Sequence, residues 1–522
     1  MTAIRTAEDI RQALFAGTEV ALLDVREEDP FAAGHPLWAA NLPLSRLELE
    51  AWSRLPRRDV AITLYDNGEG LAERAAERLH ALGYTDVALL EGGLAGWRAS
   101  GGELFIDVNV PSKAFGELVE ARRHTPSLPA EEVQALLDQD ADLVILDARR
   151  FEEYQTMSIP GGVSVPGAEL VLRVAELAPD PRTRVIVNCA GRTRSLIGAQ
   201  SLINAGIPNP VAALRNGTIG WTLAGQTLEH GQQRRFGAVS PATQATAATR
   251  ARQVADRAGV ARLAFSELNA WCTEARRTNY LIDVRTPEEF AAGHLPGARS
   301  TPGGQLVQET DHSAPVRGAR LALVDDDGVR ANMSASWLAQ MGWEVAVVDA
   351  IPANALSATG PWQPPAPVPG PVERISVTRL QELLAEPGTL VVDVTASANY
   401  VQRHIPGAAW VLRADLPAAL PPAERYVFTC GSGQLAAFAA VDVQAVTNRP
   451  VLLLEGGTAA WLAAGLPVEG GETRLLSTRR DRYRRPYEGT DAPRAAMQAY
   501  LDWEFGLVEQ LRRDGTSGFR VI

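Results

Sequence analysis

One pattern recurs four times along the sequence, and this repetition limits the folds open to the chain more than any other feature does. Each copy begins with an apolar run that ends in Asp, and three copies place Arg two positions later. These runs are LLDVR at 22–26, ILDAR at 145–149, LIDVR at 281–285 and VVDVT at 391–395. In the first three copies 42 residues separate this Asp from the start of a second turn, and 37 separate the two in the fourth. A register kept over three copies indicates duplicated domains.

Further motifs follow in a fixed order within each copy. The turns about ten residues after the Asp are GHP at 34–36, SIPGG at 158–162, GHLPGA at 293–298 and HIPGA at 404–408. The residues that open the second turn are Asp66, Cys189, Asp325 and Cys430. Three copies end in LLEGGLAGW at 89–97, ALRNGTIGW at 213–221 and LLEGGTAAW at 453–461, whereas the third copy lacks the Gly-Gly and the Trp.

Alternating strands and helices predict the fold class. Apolar runs of strand length alternate with helical stretches such as 71–82 and 196–205, which favours an α/β fold of parallel βα units with helices on both faces of each sheet. At 522 residues the chain is too long for one core. We therefore predict four tandem domains, and assign them to residues 1–110, 126–236, 260–355 and 372–470.

Stretches rich in proline and small residues mark the predicted boundaries, at 110–129, 237–249 and 351–371, the last being an extended linker. Residues 471–522 form a tail. It contains an arginine cluster at 479–485 and then apolar residues at helical spacing. This pattern predicts a helix docked on a domain, with its basic lead-in paired to an acidic surface rather than bound to substrate.

Composition excludes several classes of partner. The net charge of −12 argues against nucleic acid or an anionic membrane. No run of 18 apolar residues occurs, and the N-terminus MTAIRTAEDI has no signal-peptide core, so we predict a cytoplasmic protein. Three scattered cysteines are too few for a disulfide framework or a zinc site. The sequence leaves the oligomeric state open.

The stretch VIVNCAGRTRS at 185–195 carries the clearest chemistry. A cysteine between a strand and a helix N-terminus lies among free backbone N–H groups at the positive end of the helix dipole, which favours the thiolate of Cys189. Arg192 and Arg194 add donors suited to a sulfonate or carboxylate. Together with Gly191, Thr193 and Ser195 they predict a nucleophile in an anion-binding loop.

The order of motifs resembles the rhodanese domain. It runs D-x-R, E-E-[FY] at 152–154 and 288–290, H-[IL]-P-G-A, a cysteine loop at a strand end, and E-G-G…W. The whole chain resembles the four-domain rhodanese-type sulfurtransferases of bacteria. This resemblance implies a central parallel sheet in each unit and a cysteine that carries sulfur as a persulfide. Ser158 stands where the family has His, which puts the conformation of that turn in question.

The resemblance also implies that the units differ in activity. Asp66 and Asp325 cannot accept sulfur, so the first and third units are expected to be silent. The fourth unit has Cys430 in CGSGQLA, which resembles the loop of mercaptopyruvate sulfurtransferases, but it has Thr395 in place of Arg. Cys430 is thus either a second site that favours 3-mercaptopyruvate or a relic kept for its glycine turn.

The expected function is transfer of a sulfane sulfur from thiosulfate or a similar donor, through a Cys189 persulfide, to cyanide or a thiol. The amides of residues 190–195 would hold the persulfide, while Arg192 and Arg194 would position the sulfonate and stabilise the departing sulfite. The partners are then small molecules, and no metal or organic cofactor is needed. Asp147 and Arg149 are assigned to a structural ion pair.

Three alternatives stand beside this hypothesis. A cysteine phosphatase or arsenate reductase needs Cys-x5-Arg, whereas Arg194 closes a shorter Cys-x4-Arg loop and Ser195 occupies the longer position. The two silent units favour a non-enzymatic sulfur-binding scaffold. Cys189 could also be a buried small hydrophobe, although its flanking arginines argue against this. Cys272, in the helix-like stretch LNAWCTEARR, is predicted to be structural.

Overall fold

The computed structural model describes residues 2–522, and its secondary structure repeats in four units. The first unit has the elements β1 (Ala3–Arg5), α1 (Ala7–Ala16), β2 (Ala21–Asp24), α2 (Glu28–Ala32), β3 (Ala39–Asn41), α3 (Leu47–Arg54), β4 (Ile62–Tyr65), α4 (Leu71–Ala81), β5 (Val87–Leu90) and α5 (Gly93–Ala99). A connecting helix, α6 (Val110–Arg123), follows. The second unit has β6 (Ser127–Leu128), α7 (Ala130–Asp138), β7 (Leu143–Asp147), α8 (Phe151–Thr156), β8 (Val163–Ser164), α9 (Leu170–Leu177), β9 (Arg184–Asn188), α10 (Thr193–Asn204), β10 (Val211–Leu214) and α11 (Gly217–Leu223).

A second connecting helix, α12 (Pro241–Ala258), leads to the remaining units. The third unit has β11 (Ala261–Ala264), α13 (Phe265–Cys272), β12 (Asn279–Asp283), α14 (Pro287–Ala292), β13 (Arg299–Ser300), α15 (Gly303–Gln308), α16 (Thr310–Ser313), β14 (Arg320–Val324), α17 (Arg330–Gln340) and β15 (Glu344–Asp349). The fourth unit has β16 (Glu373–Ile375), α18 (Val377–Ala385), β17 (Thr389–Asp393), α19 (Ser397–Gln402), β18 (Ala409–Trp410), β19 (Arg425–Thr429), α20 (Gln434–Gln444), β20 (Val451–Leu454) and α21 (Gly457–Ala463). The tail adds α22 (Arg494–Phe505) and α23 (Leu507–Asp514).

Each unit is built on a five-stranded sheet with the same strand order. The orders are β1-β5-β4-β2-β3, β6-β10-β9-β7-β8, β11-β15-β14-β12-β13 and β16-β20-β19-β17-β18, and neighbouring strands pair in parallel. Successive side chains of a strand point to opposite faces. In β17, accordingly, Val392 packs in one apolar cluster and Val391 in another on the other side of the sheet. The predicted α/β class, with four parallel sheets and flanking helices, is confirmed.

The Asp-x-Arg motif is a buried structural pair, as predicted. In the second unit Arg149 donates to Asp147 (2.9 and 2.7 Å) and to the carbonyl oxygen of Met157 (2.6 Å), which ties the end of β7 to the following turn. The first and third units repeat this arrangement. In the fourth unit Thr395 replaces the arginine, and burial raises the pKa of Asp393 to about 7.

The turn that contains Ser158 keeps the conformation of its counterparts. In the other three units a histidine stacks on the aromatic ring four residues earlier, at centroid distances of 3.7 to 3.9 Å. Ser158 lacks this ring, yet its N–H donates to Glu229 O at 2.8 Å as His404 N–H donates to Glu469 O. The histidine of this motif therefore packs, and the turn is held by backbone hydrogen bonds.

Two of the three predicted boundary stretches, at 110–129 and 237–249, contain helices. Val110–Arg123 and Pro241–Ala258 are α6 and α12. Proline in the first turn of a helix removes an N–H that has no intrahelical acceptor, so Pro111 and Pro241 start these helices rather than prevent them. Both helices pack between units: α6 contacts α10 and the tail, and α12 contacts α9 and α17. The third stretch, 351–371, contains only a short 3-10 turn at 353–355 and is otherwise extended.

The units pack closely on one another. One apolar cluster contains residues of the first unit, the third unit and α6, so the two units without a loop cysteine share a core. The fourth unit joins the first through buried Arg413, which donates to Glu48 (2.5 and 2.9 Å). As predicted, the tail docks by a helix and its basic lead-in meets acids, for example Arg485 with Glu28 at 3.0 Å. No helix in residues 2–522 is long and apolar enough to cross a membrane.

Candidate active site

The Cys189 loop joins β9 to α10 at the carboxyl end of the sheet. Helix α10 begins at Thr193, three residues earlier than the predicted start, so half of the loop is already helical. Gly217, which follows Asn216 where two other units have Gly-Gly, has φ +54° and lies so close to the Cys189 carbonyl that a Cβ would overlap it. Thr218 N–H then donates to Cys189 O at 2.9 Å. Fourth-unit residues Gly457 and Thr458 repeat this contact, so the glycine at this position seats the nucleophile loop.

In three units a backbone N–H six residues after the first loop position donates to the side chain at that position. In the fourth unit Ala436 N–H donates to Cys430 Sγ at 3.4 Å. In the third unit Ala331 N–H donates to an Asp325 carboxyl oxygen at 2.8 Å. The Asp66 carboxylate of the first unit accepts three such bonds, from residues 68, 71 and 72, at 2.6 to 3.0 Å. The loop amides therefore bind the side chain at this position in three units, and an Asp carboxyl group takes the place of the thiol where the loop cysteine is missing.

The Cys189 thiol is 2% exposed, and this burial changes its acidity. It lies 3.4 Å from Ser195 Oγ, which donates to Arg192 O at 2.9 Å. Burial raises the pKa of Cys189 above its usual range, while Arg194 and Ser195 act to lower it. The net direction is opposite to the one predicted from the helix dipole and the arginines, because the sequence did not reveal how completely the loop is covered.

Arg194 is held by a partner that the sequence analysis did not identify. Its guanidinium forms a two-point contact with Glu153 of α8, at 2.7 and 2.8 Å. The third unit has the same contact between Arg330 and Glu289. The first and fourth units have Leu at the arginine position and Pro30 or Asn399 at the glutamate position. The two residues thus occur together or not at all among the four copies, which could have been read from the repeats.

Arg192 has a different environment from Arg194. It is buried and donates to Glu117 at 2.7 and 2.9 Å, and it also pairs with Glu120; both acids lie on α6. Its guanidinium stacks on Phe505 at 4.1 Å. These contacts join the Cys189 loop to α6 and the tail through Arg192. Both arginines were predicted to position the donor because the sequence does not show that α6 packs beside the loop.

A cleft of about 590 Å³ opens beside the loop. Arg194 is the Cys189-loop residue in its lining, and Arg149 and Arg150 line it from the second unit. The tail contributes Arg485 and Tyr487. Five arginines and four glutamates line the cleft, so it carries a small net positive charge and reaches the side of the loop that carries Arg194.

The C-terminal tail covers the Cys189 loop, and the sequence analysis missed this role. Ala190 packs in one apolar cluster with Met497, Tyr500 and Leu501 of α22. A Cβ on Gly191 would lie 3.1 Å from the Tyr500 ring and 3.2 Å from a carboxyl oxygen of Glu504. Helical spacing predicted a docked helix, but no feature of the sequence indicated the surface on which it docks.

The Cys430 loop is more open than the Cys189 loop. Its thiol is 4% exposed, but Gly431, Ser432 and Gln434 are exposed, whereas in the Cys189 loop only Arg194 escapes full burial. Burial raises the pKa of Cys430, and the loop amides at 433, 435 and 436 lower it. Cys272 ends α13, half-buried against an apolar cluster, in agreement with a structural role. Residues 2–522 contain no group of three or more His, Cys, Asp or Glu that could hold a metal ion.

Comparison with known proteins gives four matches to one family, described as "Rhodanese-like domain", at residues 6–100, 129–224, 265–350 and 376–464. A crystal structure of a thiosulfate sulfurtransferase from Pseudomonas aeruginosa matches all of this chain and all of its own, with 73% identity and a TM-score of 0.99. A probable 3-mercaptopyruvate sulfurtransferase from P. aeruginosa is 36% identical over 141 residues, or 26% of this chain and 48% of that protein. A putative sulfur carrier protein, YrkF of Bacillus subtilis, is 32% identical over 96 residues, or 18% of this chain and 51% of that protein. The chain thus spans about half the length of these two curated relatives.

Proposed function

The chain belongs to the family of rhodanese-like domains, and from this premise we propose that it is a sulfurtransferase whose main nucleophile is Cys189. The full-length likeness to a thiosulfate sulfurtransferase supports thiosulfate as the donor. The observation that carries the proposal is the placement of Cys189 at the carboxyl end of β9, five residues before an arginine that lines an open cleft of small net positive charge.

In the first half-reaction the Cys189 thiolate attacks the outer sulfur of thiosulfate. A bond forms between Sγ and that sulfur, the sulfur–sulfur bond of thiosulfate breaks, and sulfite leaves with its electron pair. Arg194 binds the sulfonate oxygens and stabilises the charge on the departing sulfite. Glu153 fixes the orientation of the guanidinium through two hydrogen bonds.

In the second half-reaction a thiophilic acceptor attacks the terminal sulfur of the persulfide. Cyanide would leave as thiocyanate, and a thiol would leave as a persulfide, while the Cys189 thiolate is released with the bonding pair. The loop amides that hold the carboxylates of Asp66 and Asp325 in the silent units would hold the persulfide anion here. The donor and acceptor are thus small molecules, and a cytoplasmic location stays a prediction.

We propose Cys430 as a second, independent site. Ala436 N–H already donates to its sulfur, and its loop has no arginine for a sulfonate. The likeness to a probable 3-mercaptopyruvate sulfurtransferase suggests that compound as the donor. Cys430 would attack its thiol sulfur, the carbon–sulfur bond would break, and the enolate of pyruvate would leave and take up a proton.

Steady-state thiocyanate formation from each donor tests both proposals on Cys189→Ser and Cys430→Ser. We expect Cys189→Ser to lose turnover with thiosulfate, and Cys430→Ser to lose turnover with 3-mercaptopyruvate only. Cys272→Ser is the matched control, since its half-buried thiol lies on α13, and it should keep both activities. Full thiosulfate turnover in Cys189→Ser would contradict the main proposal, and a single persulfide without turnover would favour the scaffold.

A further inference from the structure

The tail places a buried carboxyl group against the Cys189 loop. Glu504 is 0% exposed, although it lies on α22, outside the residues that match the rhodanese-like family. One oxygen accepts a hydrogen bond from Tyr500 OH at 2.8 Å and lies 3.5 Å from Thr193 Oγ1. The other oxygen, Oε2, faces Gly191 and has no hydrogen-bond partner within residues 2–522. An ionised carboxylate would leave this oxygen unsatisfied in a buried site.

The cations near Glu504 are bound to other acids. Lys113 of α6 forms an ion pair with Asp107 at 2.7 Å, and its Nζ lies 5.1 to 5.6 Å from the centres of three tail aromatic rings. Arg192 pairs with Glu117 and Glu120 of α6. Glu504 therefore lacks a counterion of its own.

The acidity of Glu504 follows from these surroundings. Burial raises its pKa to about 8, Lys113 and Arg192 act to lower it, and the Glu117 carboxylate acts to raise it further. The Tyr500 hydroxyl also lowers the pKa, because it donates to the carboxylate form. At neutral pH the group is therefore mostly protonated.

Glu504 and Cys189 each affect the pKa of the other. An ionised Glu504 raises the pKa of Cys189, and a thiolate on Cys189 must in turn favour the protonated form of Glu504. The thiolate, the persulfide and the donor all carry negative charge. A second anion beside the loop would oppose every state of the transfer cycle.

We propose that Glu504 is a positioning residue that must keep its proton for Cys189 to accept sulfur. The tail then sets, through this carboxyl group, the pH above which the rate of transfer at Cys189 no longer rises. The inference rests on the proposed function, since it concerns the same sulfur-transfer step.

Single-turnover release of sulfite from thiosulfate, measured against pH in a Cys430→Ser background, tests the inference. No acceptor is added, so its ionisation does not enter. The Cys189 thiol, whose pKa is raised by burial, ionises at higher pH than Glu504, so in the parent protein we expect the rate to rise with pH and to level off above about pH 8. One pH unit above the pKa of Glu504 its protonated fraction has fallen about tenfold, which offsets the tenfold gain in thiolate.

Glu504→Gln keeps a neutral side chain of the same shape. We expect it to transfer sulfur at neutral pH, and we expect its rate to keep rising with pH above about pH 8, where that of the parent levels off. Glu509→Gln is the control, because Glu509 is an exposed carboxylate on the next helix of the tail, and its profile should match that of the parent. A rate that levels off at the same pH in Glu504→Gln would overturn the inference. So would loss of transfer at neutral pH with an unchanged melting temperature.

Tyr500→Phe supplies an independent variant if Glu504→Gln fails to fold. Removing the hydroxyl takes away a hydrogen bond to the carboxylate form, so the rate should level off at a higher pH than in the parent. Levelling off at the same pH, or at a lower pH, would overturn the inference. If the parent released no sulfite at any pH, the proposed function itself would fail, which distinguishes the two results.

Discussion

The second and third units carry the same arginine–glutamate pair, but the two arginines have different surroundings. Within residues 2–522, Arg194 has one acidic partner, Glu153, and it lines a cleft. Arg330 meets four acids: Glu289, Asp326 and Asp327 of its own unit and Glu169 of the second unit. The comparison teaches that one loop arginine can serve a substrate site or a domain interface, and that the neighbouring carboxylates decide which.

The first loop position also has different surroundings in the second and third units. Cys189 has a hydroxyl neighbour, Ser195, whereas Asp325 takes the Ala331 N–H for its carboxyl group and lies near Asp327. Burial and the Asp327 charge raise the pKa of Asp325 well above its usual range. The third unit thus keeps the loop geometry, and the Asp325 carboxyl group occupies the place of the thiol.

The largest effect is expected from Arg330→Met. The change leaves several carboxylates at the interface of the second and third units without their shared cation, a loss of about 3–5 kcal/mol for a buried pair. At roughly 2–4 °C per kcal/mol, the melting temperature should fall by about 6–20 °C. Differential scanning calorimetry measures it. Arg252→Met, which removes a half-exposed arginine paired with Asp349, is the control and should change little. A fall no larger than that of the control would show that Arg330 does not hold the interface.

Arg194→Gln should affect catalysis rather than stability. Removing one donor to charge that develops in the transition state lowers kcat by about 10²–10³. We expect a loss of this size in kcat/KM for thiosulfate, and no comparable loss for 3-mercaptopyruvate at Cys430. Arg182→Gln, an exposed arginine of the same unit that pairs with Asp180, is the control. Equal losses with both donors would contradict the assignment of Arg194 to the sulfonate.

A smaller effect is expected from Asp325→Asn. An acid whose pKa is raised on folding keeps its proton in the native state while the unfolded chain releases it. Stability is therefore lost as pH rises from the unfolded pKa, about 3.9, through the raised folded value. Asparagine has no proton to lose, so the variant should melt higher than the parent in alkaline buffer, by about 2–4 °C if the relief is near 1 kcal/mol. Melting curves that differ from the parent equally at all pH values would show that the Asp325 charge is not the cause.

The repeats made the fold predictable, since four aligned copies of strand, turn and cysteine loop predict four parallel sheets. They also contained the Arg194–Glu153 contact, because arginine and glutamate are present together in two copies and absent together in two. The surroundings of Cys189 were not predictable in the same way. They come from α6 and α22, which occur once each, so no repeat shows where they pack. The pKa of Cys189 was therefore predicted in the wrong direction, and Glu504 was missed.

The last prediction tests whether the residue at the first loop position alone accounts for the expected difference in activity between the second and third units. In a chain with Cys189→Ser and Cys430→Ser, the further change Asp325→Cys restores a thiol at the loop position of the third unit. We expect no thiosulfate turnover, because Arg330 is already bound by four carboxylates and an anionic donor would meet net negative charge beside it. The third unit also lacks a counterpart of Gly217, which seats the Cys189 loop, and it has a 3-10 turn at 353–355 where the other units have a seven-residue helix. The Cys430→Ser protein, which keeps Cys189, is measured beside it as the active control, and the melting temperature checks folding. Turnover in the Asp325→Cys chain would show that a single thiol converts the third unit, and that the carboxylates around Arg330 do not prevent a donor from binding.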